Sequence, residues 1–594
     1  MASIMIRPKL PPTKIDRFLG INLNDTGDTQ LQVGESPNML NFRITSDYKL
    51  RTREGYIELF PKLNKPIKAA WRGKIGNDYH FLFACDGKVY KYGEELTVIG
   101  NIQDAMTNFI NFNDKLYIQD GHEYYSWDGA TFKTVEGYVP TVAIGTPPAG
   151  GGTPYEQINL LTDKKKQLFS GDGTSKDYQL LETNITSVDK VYVNGDLQTP
   201  GTHYSVNLVT GKVTFTTAPS DAAPDNVEIE WTKVTAGNRS QVTACRAAMT
   251  FGGANDTRIH IWGNPQLKNR RLTSGIPINQ STSAEYFPVN MNADIGSYEY
   301  AITDIIRQYD RMVILKERSS YYSYYEVVDG TGSFPVYPLN GDIGNVAFNQ
   351  AQLVQNNPYS VFTGVYEWVA TSVRDERNAQ FISERVQSEL EDIDLTQAIT
   401  VDYEDLKEYW LAIDRVVYIY NYRNNTWYKF ELAHKPTCFI VIDKDLHFGT
   451  EDGYIMRFGE DSIGNILTTD DGEPIHKVWE MHFYDFQAEH LRKYLNRIWV
   501  SIQPGAKEEI DLSWQTNRDS SRRKYRVEYK LMDYSNVDYG DWSYLTYYNP
   551  QPERLKIKAK KFVYFKLILE NTSITATATV LSINLQTRMG GESK

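Results

Sequence analysis

The chain has 594 residues, 41% hydrophobic and 23% charged; this excludes a disordered chain and predicts roughly two to four globular domains. The formal net charge of −12 argues against a broad grip on nucleic acid, which needs a basic face. No apolar run approaches the roughly 20 residues of a membrane-spanning helix, so the expectation is a chain with no membrane span.

The first 60 residues read as an extended arm followed by a strand and turn. The arm carries Gly34-Glu35-Ser36-Pro37-Asn38-Met39-Leu40-Asn41 and then Leu50-Arg51-Thr52-Arg53-Glu54-Gly55-Tyr56; Pro37 and the polar residues before it break any helix. The stretch before it lacks the apolar centre of a signal peptide. Cys85, Cys245 and Cys438 form no CxxC pair and read as reduced, buried thiols of a chain made in the cytoplasm.

A hairpin phrase then recurs. Asp78 to Gly93 and Asn113 to Gly129 each join two strands through an Asp-Gly turn, Asp86-Gly87 and Asp120-Gly121. The segment Gly145 to Pro154, rich in Gly and Pro, reads as a flexible linker. From Tyr155 to Lys233 about six short strands with turns between them predict a small β-sandwich inserted into a loop. Its removal is expected to leave a folded remainder. Thr257 to Asn264 reads as a strand, hairpins resume at Arg311 to Glu326 and Tyr409 to Lys429, and they end with Asp443 to Gly459 around Asp452-Gly453. Ser388 to Ile399 is acidic and predicts a short helix. From about Val478 further alternating segments predict a second sandwich.

Repeated hairpins with aromatic second strands indicate the blades of a β-propeller. The rival reading is an ordinary all-β protein with many hairpins. The predicted fold class is mainly β: a propeller-like core, an inserted small sandwich and a C-terminal sandwich. The expected divisions are 1–144 (arm and first blades), 155–235 (Ig-like insert), 236–475 (remaining blades) and 476–594 (C-terminal sandwich). Gly87, Gly121 and Gly453 are expected to hold their turns through positive φ.

The sequence offers no GxSxG, HExxH or Walker loop, so no enzyme activity, cofactor or metal is expected. His476, His482 and His490 have even spacings that place them on one strand face, but solvated histidines are the commoner case. The basic groups are Lys164-Lys165-Lys166, Arg270-Arg271, Arg522-Arg523-Lys524 and the alternating Lys556, Lys558 and Lys560. Each could meet phosphate, against the ordinary reading of a solvated face or a lysine-guarded edge.

The order of GESPNMLN…LRTREGY, GKVYKYG, NDKLYIQDG, RMVILKERSSYY, YWLAIDRVVYIYNYRNNTWY and LHFGTEDGYI resembles the tail nozzle proteins of short-tailed bacteriophages, also described as tail hub, tail tubular or packaged-DNA stabilisation proteins. The resemblance covers about residues 15 to 140 and 240 to 475. The insert separately resembles a sandwich module common in phage tail proteins. The resemblance implies a structural protein of the virion tail, a homohexameric ring at the head–tail connection. Its implied partners are the portal or head–tail adaptor above and a tail fibre or distal needle or plug below. Its implied role is to retain packaged double-stranded DNA and conduct it during genome ejection, with no sequence-specific binding. Alternatives are a tail fibre adaptor and a carbohydrate-binding or carbohydrate-cleaving propeller. Within the nozzle reading, Glu389, Glu391, Asp392 and Asp394 are candidates for lining the channel or a gate, because an acidic wall repels DNA and leaves it centred; their rival role is an ordinary solvated surface.

Overall fold

A computed structural model describes residues 12–24, 30–63, 65–278, 284–370, 378–462, 464–505, 507–521, 524–530 and 549–592. Strands dominate, and helix among the described residues is limited to short turns such as Asn238–Thr243 and Gln387–Leu390. The fold is mainly β and propeller-like; four-stranded antiparallel sheets recur, and the larger sheets include one of nine strands. The chain divides into two compact units, one built on Lys68–Ala351, the other on the N-terminal segment to Ile67, Gln352–Val369 and the C-terminal part of the chain.

In the unit built on Lys68–Ala351, four-stranded antiparallel meanders recur. The first joins Ile67–Ile75, Asp78–Cys85, Lys88–Tyr92 and Thr97–Asn101, and the second Asn108–Phe112, Lys115–Gln119, Tyr124–Trp127 and Phe132–Thr134. The third runs from Ala247–Gly253 to Asn292–Asp294 and the fourth from Ile302–Gln308 to Val336–Asn340. Alternation puts one side chain in two on each face, and the faces pack in succession. Leu82 and Val89 of the first meander share a core with Leu116, Ile118 and Trp127 of the second. Tyr117 and Tyr124 then pack with Ile259 and Ile261 of the third, and Phe251 and Trp262 with Ile305 and Ile314 of the fourth.

The insert is a two-sheet sandwich. One sheet holds Lys164–Phe169, Val227–Thr232 and Ser187–Val193, the other Asp177–Gln179, Lys212–Phe215 and Tyr204–Asn207. Phe169, Tyr178, Val213, Phe215 and Trp231 fill the space between them. The boundary differs from the sequence expectation in two ways. Gly145 to Pro154 is a hairpin: Thr141–Thr146 pairs with Thr153–Pro154, Ile144 opposite Thr153, and Thr141–Thr146 continues parallel to Lys164–Phe169. Its glycines close the turn at positive φ, a use of glycine that composition cannot tell from flexibility. Meanwhile Leu160 and Leu161, assigned to the insert, belong to the core shared with the second and third meanders. Asn159 ties them in, donating to the Tyr138 and Glu285 carbonyls at 2.8 and 2.9 Å and accepting from the Phe287 amide at 2.9 Å.

The other unit holds three further meanders. The fifth comprises Gln352–Val354, Asn357–Val361, Val365–Trp368 and Ala379–Phe381; the sixth Ile399–Tyr403, Glu408–Ile413, Val416–Asn421 and Thr426–Glu431. The seventh takes three strands, Pro436–Ile442, Asp445–Thr450 and Ile455–Phe458, from late in the chain and its fourth, Tyr56–Glu58, from the arm. Sequence reading groups the arm with the first blades. In the structure it is woven into the C-terminal sheets. Asn38–Leu40 runs parallel to Thr426–Glu431 on one side and antiparallel to Lys477–Glu480 on the other. That sheet continues through Phe565–Asn571, Glu508–Thr516 and Tyr525–Tyr529. A second sheet places Phe42–Ile44 and Leu50–Thr52 beside Thr579–Glu592, followed by Leu491–Ile502 and Glu553–Phe562, while Thr13–Ile15 also pairs with Thr579–Glu592. Phe562 of one sheet meets Phe565 of the other with ring centres 5.6 Å apart.

Candidate functional site

The arm residues that stand out in the sequence converge on one buried polar cluster. Arg53 is fully buried. It grips Asp470 through both terminal nitrogens at 2.7 and 2.6 Å, donates from Nε to Asn41 Oδ1 at 2.8 Å, and donates to the Glu54 and Glu431 carbonyls. The planar fork of arginine suits this use, because several partners are satisfied by one rigid group. Asn41, itself at φ 57, donates to the His476 carbonyl at 2.7 Å and accepts from the Glu431 amide. One arginine and one asparagine thereby join the arm to the end of the sixth meander, to Asp470 beside the seventh, and to the start of the C-terminal strands.

A second arginine lies alongside. Arg43 pairs with Glu54 and, at 2.7 Å, with Glu408. Glu408 is fully buried and also accepts from Trp410 Nε1 at 2.9 Å and from the Tyr428 hydroxyl. Burial opposes the Arg43 charge, but Glu408 and Glu54 more than offset it and hold the guanidinium above its ordinary range. Burial likewise works against the Glu54 carboxylate, and Arg43 and Arg51 overcome it, leaving that group below its ordinary range. A recess of about 370 Å³ opens beside this pair, lined by Arg43, Glu54, Tyr403, Trp410, Asp445 and Arg457. Arg457 reaches Asp445 at 3.4 Å, so the charges lining it serve one another.

Further up the arm the pattern repeats. Glu35 is buried, accepts from Asn22 and from the Gln32 amide, and meets Arg385 at 3.3 Å. The Ser36 hydroxyl donates to the Glu480 carbonyl at 2.7 Å and Asn38 Nδ2 to Glu480 Oε1 at 3.0 Å. The arrangement is a clasp: paired charges and side-chain-to-backbone hydrogen bonds that fix the arm across several sheets.

The acidic candidates divide. The helix begins earlier than expected, at Glu384–Val386 and Gln387–Leu390, because the buried Val386 and Leu390 rather than the acids set its inner face. Glu389 binds Lys429 at 2.9 Å and accepts from the Tyr418 hydroxyl at 2.7 Å. Asp394 caps the turn Leu395–Gln397, accepting from the Thr396 amide and hydroxyl; that hydroxyl first, then the amide, holds its carboxyl below the ordinary range. Glu391 and Asp392 are exposed and, among the described residues, in no ion pair.

The three turns keep distinct geometries. Asp86 and Gly87, at φ 49 and 67, form a two-residue connection of the primed kind, with Cys85 opposite Lys88. In the second, Gly121 has φ 76 and the Asp120 carboxylate accepts the amides of His122, Glu123 and Gln103. Gly453 has φ 92, and a Cβ there would lie 2.4 Å from the Leu63 carbonyl oxygen.

Of the basic groups, Lys165 is buried against Glu182, Lys166 faces Glu228, and Arg270 grips Asp294 at 2.7 Å. Arg522 and Arg523 lie outside the described residues. Lys556, Lys558 and Lys560 share the exposed face of Glu553–Phe562. His476 stands 3.8 Å from Glu570, while His482 is buried beside Tyr484. Sequence reading missed Glu408 and Asp470: Glu408 gave one signal, a carboxylate opening the apolar strand Glu408–Ile413, and Asp470, within the polar run Thr468-Thr469-Asp470-Asp471-Gly472, gave none.

No family model matches the chain, and no curated protein matches it. Among solved structures, the computationally designed Ika8 protein is similar over 68% of this chain and 99% of its own, at 8% identity and a TM-score of 0.32. BamB from Moraxella catarrhalis is similar over 69% of this chain and 97% of its own, at 10% identity and a TM-score of 0.32. An exo-β-1,3-galactanase from Phanerochaete chrysosporium covers 57% of this chain and 95% of its own, at 8% identity and a TM-score of 0.20. The description of the fold rests on the sheets themselves.

Proposed function

We propose that the protein is a structural component of a phage tail, a ring-forming nozzle or hub below the portal and adaptor. It retains packaged DNA, conducts it during ejection and offers a platform for fibres or a distal plug. The observation that carries this reading is the clasp. The segments GESPNMLN and LRTREGY, which open the resemblance to nozzle proteins, supply Glu35, Ser36, Asn38, Asn41, Arg53 and Glu54, all of them bound across the sheets of one unit. Charged residues bound to one another suit holding rather than turnover, and an arm pinned at many points suits a part that bears load.

In this reading conduction is passive. Capsid pressure drives the duplex, and the exposed Glu391 and Asp392 are the members of the acidic run free to repel it. The test is assembly. The purified protein is mixed with its portal and adaptor and imaged by electron microscopy, with the mass of the free assembly measured alongside. The expected result is a ring coaxial with the portal, at six times the 68.1 kDa subunit mass. A protein that stays monomeric and never joins a tail overturns the proposal.

A further inference from the structure

The acidic chain carries one strongly basic sheet face. Leu491–Ile502 lies between Glu553–Phe562 and Thr579–Glu592. On the inner side Leu555, Ile557, Ala559, Ile498, Val500, Ile583 and Leu585 are buried. The outer side is different. Arg554, Lys556, Lys558 and Lys560 stand exposed along the outermost strand, with Arg497 and Arg588 exposed on the two strands behind it. Among the described residues no carboxylate pairs with any of these six. The only acids in the three strands are Glu553 and Glu592, at the ends.

Two aromatic side chains sit within the basic field. Tyr494 lies between Lys560 on one side and Arg588 on the other, and Trp499 between Arg554 and Asn584. Arg497 is flanked by Lys556 and Gln586 in the same way. Both rings are half-buried, so they are held in place while part of each remains open. A lysine-guarded edge explains charge on the outer strand. It does not explain arginines and rings two strands deep.

We propose that this face binds single-stranded nucleic acid. Alternate residues of a strand are about 6.8 Å apart, which lets the lysine row follow the phosphates of an extended strand. Open rings between cations are the stacking platforms that unpaired bases use, and a duplex offers no such bases. The amides of Asn584 and Gln586 add donors and acceptors for base edges. The proposal does not depend on the reading of the protein as a tail component.

The test uses the full chain and a fluorescein-labelled 20-nucleotide oligothymidine, with binding read by fluorescence anisotropy from low to moderate salt. The parent is expected to bind. Lys556→Gln, Lys558→Gln and Lys560→Gln together should weaken binding at least about tenfold at low salt and reduce the slope of log K against log salt by about two. Trp499→Leu and Tyr494→Leu should each weaken it about fivefold or more without changing that slope. Circular dichroism checks that each variant is folded; if Trp499→Leu is not, Tyr494→Leu and the lysine variant decide. A control with Lys176→Gln and Lys190→Gln, exposed on the insert, should match the parent. Absence of binding, a lysine variant equal to the parent, or an equal loss in the control overturns the proposal. So does tighter binding of a duplex of the same length, or of heparin, which would assign the face to a different polyanion.

Discussion

Arg53 and Asp470 are 417 residues apart in the chain and joined by two parallel hydrogen bonds, 2.7 and 2.6 Å long, where solvent does not reach. The pair is costly to bury and more costly to break. Removing one partner from a buried pair leaves an uncompensated charge, at about 3–5 kcal/mol. Asp470→Ala should therefore lower the stability of its unit by that amount, read as a shift in the denaturant or thermal transition. Replacing both, Arg53→Met with Asp470→Leu, should cost less than Asp470→Ala alone. A double variant no better than the single one would show that the backbone bonds of Arg53, rather than its charge pair, carry the clasp.

The hairpin turns are predicted to differ in their tolerance of a side chain. At Gly87 a Cβ would meet the Ile102 carbonyl oxygen at 3.2 Å; at Gly453 it would meet that of Leu63 at 2.4 Å, with Lys65 close behind. Gly87→Ala should cost about 1 kcal/mol, the strain of positive φ alone. Gly453→Val adds a collision with backbone and should cost more, about 1–3 kcal/mol by backbone strain before the clash is relieved. Melting temperatures of the two variants check the order; equal shifts would remove the role of the Leu63 contact.

Excising Tyr155 to Lys233 is expected to fail. It takes Asn159, Leu160 and Leu161 out of the core shared with the second and third meanders. A cut that removes 164–233 and keeps 155–163, joined by a short Gly-Ser link, should give soluble folded protein. Soluble yield and circular dichroism separate the two. A well-folded product of the larger deletion would show that these two leucines are dispensable.

The acidic run supplies a test of conduction. Glu391→Lys with Asp392→Lys changes exposed groups, whereas Glu389→Lys would set a cation against Lys429 and Asp394→Lys would remove a cap. The first pair should slow DNA release from particles triggered in vitro, more at low salt than at high salt, because screening weakens the new attraction. The second pair should instead lower the melting temperature. Unchanged release kinetics across the salt range would take Glu391 and Asp392 away from the path of the DNA.

What was legible in the sequence was local. A hairpin needs only two apolar or aromatic strand runs and a turn, and Asp78–Cys85, Asp86-Gly87 and Lys88–Tyr92 supply all three in one stretch, so the strands of the first, second, sixth and seventh meanders are recognisable. The arm was not. Its strands, such as Asn38–Leu40 and Tyr56–Glu58, are three residues long, too short for a period, and their partners lie more than 350 residues away. The glycines near Gly150 were misread for a related reason: a residue that permits flexibility also permits a fixed turn. Lys165 looked like part of a charged patch because a run of lysines hides which of them the strand turns inward, in this case toward Glu182.

The strand Tyr56–Glu58, early in the chain, closes the seventh meander, and Thr13–Ile15 waits for Thr579–Glu592. The first residues made are thus among the last to find partners. At about 5–20 residues per second of synthesis, the arm emerges on the order of half a minute to two minutes before its partner strands exist. The Lys68–Ala351 unit needs no such wait, since its meanders are contiguous apart from the insert. Vectorial synthesis therefore imposes an order: one half can mature on the ribosome, while the other holds unpaired strand edges until translation nears its end. Those edges are the places where a nascent chain meets chaperones or its neighbours on the same polysome.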